Sequence, residues 1–325
     1  MEEESPSYKH DQSPFYHARE AALLRSSIEG GDVIFVSSAP SVELWKLVVN
    51  EKVECQTLTE ALPPVKFLDL TNFKMKKDTF ISPRLAHHID WAMKAGKKVI
   101  LYIQAARGTA MIVEELKRPF PYAKVAGYDK SSAACPRGFD ILVATQAVFR
   151  HRQTLRADVA AVLDIDWEFH KADHRAGHGA FVLVQHLRQM VKEFVLLQTR
   201  HIDHKGLHAL AEDDPAQFYR HELKMRKEAD LPPFQYLVAV VVRSSDPELA
   251  CVEAKNLYDK MNSVRPEGVE LHEPQQDRSA IVRGKFRYCL MIQGKSLKVV
   301  MGFVKEALHG FRRKKDVIVT VNVDP

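Results

Sequence analysis

KVILYI (Lys98–Ile103), AKVAGY (Ala123–Tyr128), FDILVATQ (Phe139–Gln146) and VAAVLDID (Val159–Asp166) decide the fold of this chain. Each is a short, nearly continuous apolar run, as expected of strands buried on both faces of a parallel sheet. Helical periodicity fills the gaps, at Pro83–Lys94, Thr109–Lys117 and HGAFVLVQHLRQMV (His178–Val191), and EFVLLQT (Glu193–Thr199) adds another strand. Strand and helix alternate as βαβ units do.

On the N-terminal side, His17, Ala21, Leu24 and Ile28 predict a helix over 17–30 that closes at Gly30-Gly31. VIFV (Val33–Val36) follows as a buried strand, and SSAPSVELW (Ser37–Trp45) reads as a loop into a helix capped by Ser41. Thr57–Pro83, with Pro63-Pro64, a short VKFLDL strand and a Lys-rich stretch, reads as a linker between lobes. On the C-terminal side a single helix is expected over Gly206–Ala229, ending at Leu231-Pro232-Pro233-Phe234. Strand (Tyr236–Ser244), helix (Pro247–Met261), loop, strand (Phe286–Gly294), helix (Ser296–Phe311) and strand (Val317–Pro325) then give a βαββαβ-like order, one strand short of it, typical of a small α+β domain with an antiparallel sheet.

With 325 residues, 46% of them hydrophobic, the chain has enough material for two domains or three small ones. No apolar run approaches the ~20 residues of a membrane span, and Met1 is followed by three Glu where a signal peptide would carry an apolar stretch. Cys55, Cys135, Cys251 and Cys289 form no CxxC pair, which points away from a zinc ribbon and a disulfide framework and toward a reducing cytoplasm. A net charge of +5 permits nucleic-acid binding without demonstrating it.

Ordered short motifs say more. SYK (Ser7–Lys9), YHAR (Tyr16–Arg19), DILVATQ (Asp140–Gln146), VLDID (Val162–Asp166), FYRHELKMRKEADLPPF (Phe218–Phe234), RGKFRY (Arg283–Tyr288) and VDP (Val323–Pro325) resemble, in the same order, motifs of the PriA replication-restart helicase family, or primosomal protein N′. That resemblance implies an α/β fold with a partial first RecA-like lobe at 1–58, a second RecA-like lobe at 59–200 and a C-terminal α+β DNA-binding domain at 201–325. It also implies that the family's phosphate-loop half and N-terminal DNA-binding domains lie outside this chain.

The family's chemistry transfers poorly. Its acid motif DEEH stands here as MEEE (Met1–Glu4), so Glu2 and Glu3 are vestigial carboxylates and read as a solvated acidic terminus. GSATPS becomes SSAPS (Ser37–Ser41), and GTQMIAKGxD becomes ATQAVFRHRQ (Ala144–Gln153), keeping Thr145 and Gln146 as a pair that is either structural or DNA-contacting. QVAGRAGR, the source of the arginine finger, becomes QHLRQMVKE (Gln185–Glu193), where Arg188 is out of register. Loss of such a finger costs ~10³ or more in rate. The zinc module is replaced by QAARGTA (Gln104–Ala110). Neither ATP nor zinc is therefore expected as a cofactor, and no ATPase or helicase activity is expected of this chain alone.

DNA, as forks or single strands, is the expected partner. Arg283, Lys285 and Arg287 should share one face of a strand, with Phe286 and Tyr288 on the other as core residues. Arg312–Lys315 reads as a solvated turn. The resemblance adds single-stranded-DNA-binding protein and other primosome proteins as partners. GKSLKV (Gly294–Val299) carries Leu297 where the family has Arg, leaving Lys295 or Lys298 to substitute. Two alternatives stay open: half of a split 3′-5′ helicase completed by another chain, and a gene remnant without function.

Overall fold

The computed structural model describes residues 2–10, 16–58, 61–74, 79–105, 108–171, 173–211, 214–282 and 284–324. The chain divides into two compact units, one made of Met1–Lys46 and Lys224–Pro325, the other of Leu47–Leu223.

At the start, α1 (Ala18–Glu29) is capped by the His17 ring, which accepts from the Arg19 N–H, and it ends at Gly30, whose φ of 73° suits the left-handed position only glycine takes freely. α2 (Val42–Val49) begins after Ser41, whose hydroxyl accepts from the Leu44 N–H at 3.2 Å. The expected buried strand at Val33–Val36 does not form. Ile34 is 86% and Val36 68% exposed, and Leu24 and Ile28 of α1 also face solvent. A strand exists only through its ladder, and among the described residues only the Val36 carbonyl is taken up by backbone, from the Glu3 N–H.

The second unit is built on a six-stranded, all-parallel sheet. Its strands are β1 (Val65–Asp69), β2 (Val99–Tyr102), β3 (Val125–Tyr128), β4 (Ile141–Ala144), β5 (Ala157–Val162) and β6 (Val191–Thr199), in the order β1-β6-β5-β2-β4-β3. VKFLDL thus supplies an edge strand paired to β6 and is no mere linker. α3 (Pro83–Lys94) starts with Ser82 accepting from the Leu85 N–H and with Pro83 at the first helical position. It packs Leu85 and Ile89, with Ile112 and Leu116 of α4 (Thr109–Lys117), on Val99, Leu101, Ile141 and Val143. The alternate residues Ile100, Leu142, Ala160 and Leu197 are buried as well, as a sheet covered on both faces requires. α5 (Asp166–Phe169) and α6 (Ala176–Met190) complete the βαβ pattern.

The single helix expected over Gly206–Ala229 is two, α7 (Lys205–Ala211) and α8 (Pro215–Glu228). Pro215 lacks the N–H that an unbroken helix would need and disfavours helical geometry in the residue before it. Asp214 restarts the helix by accepting from the Ala216 N–H at 2.9 Å. α7 and the first part of α8 belong with the parallel-sheet unit, where Phe218 stacks on Phe181 at 4.1 Å between ring centres.

In the first unit, β7 (Tyr236–Ser244), α9 (Pro247–Ser263), β8 (Val269–Leu271), β9 (Gln275–Val282), β10 (Lys285–Gly294), α10 (Leu297–His309) and β11 (Ile318–Val323) form an antiparallel sheet ordered β11-β7-β10-β8, with β9 also on β10. The stretch expected as a loop therefore contains two strands. β8 has three residues and β9 (QQDRSAIV) has little apolar alternation, so neither carries a periodic signal. Val238, Val240, Val242, Leu290 and Ile292 turn to α9 and α10 and bury Leu257, Met261, Phe303 and Val304.

Candidate nucleic-acid interface

The N-terminal acids are not a solvated tail. Glu3 is 5% exposed, and its carboxylate accepts from the Arg19 guanidinium at 2.7 Å, the Ser41 hydroxyl at 2.8 Å and the Ser41 N–H at 2.9 Å. Arg19 in turn donates to the Ser41 hydroxyl at 2.7 Å. Burial alone would lower the Arg19 pKa, but the charge and hydrogen bond of Glu3 outweigh it and hold the guanidinium above its ordinary value. Its flanking acids are engaged too: Ser38 donates to both Glu2 oxygens at 3.0 Å, and Ser37 donates to Glu4. The expectation of solvation failed because the partners, Arg19, Ser37, Ser38 and Ser41, lie 16 to 38 positions along the chain, where sequence spacing has no say.

Arg188, on α6, is 3% exposed and donates to the carbonyls of Pro63 at 2.7 Å and Leu62 at 3.2 Å. Its fork therefore ties the segment ahead of β1 to α6. Thr145 and Gln146 sit just past β4, at the carboxyl edge of the parallel sheet where α/β folds place ligand contacts. Thr145 is 4% exposed and its N–H donates to the Tyr128 carbonyl, whereas Gln146 is exposed. The two expected contacts thus separate into a buried residue and one a strand of DNA could reach.

Arg283 lies outside the described residues, as do the side chains of 278–282. Lys285 and Arg287 open β10, half-buried. Strand alternation puts them together on one face, and Tyr288 on the other packs against the α9/α10 core. Arg287 pairs with Asp277 at 2.9 Å. Sequence reading missed Arg243, which the β7/β10 register sets directly opposite Arg287. Only the ladder could have revealed it, since the two residues are far apart in the chain. Burial first, and then the Arg287 charge, lower the Arg243 pKa, yet an arginine stays charged at neutral pH. Two guanidiniums and a lysine against one carboxylate leave a local excess of positive charge, the chemistry that phosphate backbones select. Of the Arg312–Lys315 turn, all four residues are exposed, and Lys314 lies 3.4 Å from Glu253. Ser296 caps α10 between Lys295 and Lys298.

The N-terminal carboxylates are partly committed to protein donors. A hard cation with phosphates needs several free oxygens, and the carboxylates of Glu2, Glu3 and Glu4 are already engaged by serine and arginine donors. Among the described residues no cysteine belongs to a group of three or more metal-ligating side chains. No helix among them is long and apolar enough to cross a membrane.

No family model matches the chain. It is similar to the replication restart protein PriA of Rickettsia conorii, 22% identical over 410 residues that cover 100% of this chain and 62% of the relative. The PriA of Treponema pallidum is 22% identical over 100% of this chain and 61% of its own length. That of Bacillus subtilis is 20% identical over 100% of this chain and 51% of its own length. The chain thus spans between half and two-thirds of these curated relatives. Among solved structures, the Sulfolobus solfataricus SWI2/SNF2 ATPase core in complex with dsDNA covers 63% of this chain and 50% of its own at 13% identity, with a TM-score of 0.34 too low to bear on function. Motifs in order and end-to-end similarity agree that this chain is PriA-like along its whole length.

Proposed function

We propose that this chain is a cytoplasmic, PriA-like DNA-binding protein of replication restart and primosome assembly that neither hydrolyses ATP nor unwinds DNA by itself. The observation that carries the reading is the Glu3–Arg19–Ser41 network. A carboxylate that is 5% exposed and accepts three hydrogen bonds at 2.7 to 2.9 Å is committed to protein donors and has little acceptor capacity left for a water or a cation. The anchoring of Arg188 on two backbone carbonyls supports it, because a finger must be free to reach a phosphoryl group. For binding, the support is Lys285, Arg287 and Arg243 at one end of the antiparallel sheet. On this reading the chain keeps the family's order of a lobe-1 tail, a second lobe and a DNA-binding domain, with the second lobe running beyond 200 through α7 into α8, and Lys295 and Lys298 offer charge for an acidic partner tail.

Fork DNA and single strands, titrated with the purified chain across a salt series, test the proposal. Affinity should fall steeply with salt, and Lys285→Ala with Arg243→Ala should weaken binding to all sequences and lower the salt slope by about one per charge removed. Salt-insensitive binding, or none, refutes it, as does ATP hydrolysis by the chain alone.

The exposed apolar group Leu24, Ile28, Ile34 and Val36 favours a second reading, half of a split helicase completed by another polypeptide. Mixing with a phosphate-loop polypeptide would then have to generate ATPase activity that Glu3→Gln or Arg188→Ala abolishes.

A further inference from the structure

A cleft of about 450 Å³ opens at the carboxyl ends of β1, β5 and β6, and nothing in the DNA reading uses it. Phe169, His170, Arg200, His201, His204 and Leu207 line it. The size falls within the range of small-ligand sites. Its frame is fixed from below: the Asp166 carboxylate accepts from the Thr199 hydroxyl at 2.5 Å and the Arg200 N–H at 2.7 Å, and Thr71 donates to the Arg200 carbonyl at 3.1 Å. Asp166 is therefore occupied in holding the turn. Gly206 leaves room for these rings, since a Cβ at that position would lie 3.0 Å from the His204 ring and 3.2 Å from the Phe169 ring. Those two rings meet at 4.8 Å, and His170 and His201 face each other at 5.7 Å.

We propose that this cleft binds a nucleotide unit, its phosphate held by Arg200, His201 and His204 and its base laid against the Phe169 side, with affinity that rises on histidine protonation. A metal ion is disfavoured, because among the described residues the ligand atoms of these histidines do not gather within reach of one cation. An arginine beside imidazoles and an aromatic wall suits a phosphate and a flat base. The charges facing His204 are His221 on α8, His201 in the turn, His170 and Asp166 on and just after α5, with Arg200 and Asp203 lining the same cleft. Burial, then His221 and His201, hold the free His204 below the ordinary histidine value while Asp166 opposes them. A phosphate raises it, so binding takes up a proton. Affinity increases as pH falls through the pKa of the complex and levels off below that of the free protein.

The unit can come as a free nucleotide or within a strand, and binding of inorganic phosphate, dAMP and a short deoxyadenylate strand to the full chain separates these sources. Between about pH 8 and about pH 6 the affinity should rise roughly tenfold. Arg200→Ala should lower it tenfold or more at the lower pH, and His204→Gln should flatten the pH dependence with an unchanged far-UV spectrum. Gly206→Val, whose added methyls would press on the His204 and Phe169 rings that line the cleft, should weaken binding. dAMP bound as tightly as the strand assigns a free nucleotide; a preference for the strand assigns nucleic acid. The cleft is independent of the β10 cations, so Lys285→Ala with Arg243→Ala should leave dAMP binding intact even if fork binding is lost. No dAMP or strand binding at about pH 6, or wild-type binding by both Arg200→Ala and His204→Gln, overturns the proposal.

Discussion

Replacing Glu3 by Ala removes the partner of a guanidinium whose side chain is 6% exposed, from a pair in which the glutamate side chain is 2% exposed. Arg19 would keep the Ser41 hydroxyl at 2.7 Å and the exposed Glu20 carboxylate at 3.2 Å. Breaking a buried pair from one side costs about 3–5 kcal/mol, chiefly because a buried charge is left uncompensated. At about 1.4 kcal/mol per factor of ten, local protection against amide exchange should fall by roughly two to three and a half powers of ten in this region. The Ser41 N–H is a direct reporter, since it donates to Glu3 itself. Hydrogen exchange of a peptide spanning 37–45, with urea denaturation beside it, measures the effect. A control separates charge from packing: Glu3→Leu combined with Arg19→Met removes both charges and should recover most of the loss, giving a large coupling energy in the double-mutant cycle. If Glu3→Ala costs under about 0.5 kcal/mol, or the double variant is no better than the single ones, the network is a surface contact and the argument for an engaged, non-catalytic Glu3 fails.

Arg188→Ala should destabilise the parallel-sheet unit by about 2–4 kcal/mol in chemical denaturation, because the Leu62 and Pro63 carbonyls lose a charged donor, and Arg188→Lys should recover little since a lysine lacks the fork. Gly294→Ala should cost about 1–3 kcal/mol in thermal unfolding, as the new Cβ would sit 2.8 Å from a Val300 methyl and 3.4 Å from the Gly268 carbonyl. Burial, with Asp277 adding to it and Arg287 opposing, pushes the Cys289 thiol up to about 11. At about pH 8 only ~0.1% of it is thiolate, so a thiol reagent should modify exposed Cys55 long before Cys289, whose rate should rise about tenfold per pH unit up to about 11.

The parallel sheet was legible because its signal is local. Apolar runs such as ILVA (Ile141–Ala144) and capped helix starts such as Ser82-Pro83 are written in consecutive residues, and the structure places α3 and α4 on the predicted bounds. Elements whose identity depends on a partner were not legible. VIFV has a strand's composition but no ladder, and β9 has a ladder but not a strand's composition. The same divide runs through the candidate site. Lys285 and Arg287 were visible as alternating cations, while Arg243 joined them only through the β7/β10 register.

By itself, the sequence carries the ordered motifs that make the chain similar to PriA proteins, because those are matters of which residue stands at which position. Tertiary structure alone decided what the remaining charged groups do. Glu3 is sealed by Arg19 and Ser41, Arg188 is anchored on two carbonyls, and Arg200 meets His170, His201 and His204 around one cleft. The physical reason is that burial and charge pairing depend on distances in space, which chain separation does not encode, and burial determines whether a carboxylate or an arginine is a solvated group, a structural tie or a binding residue.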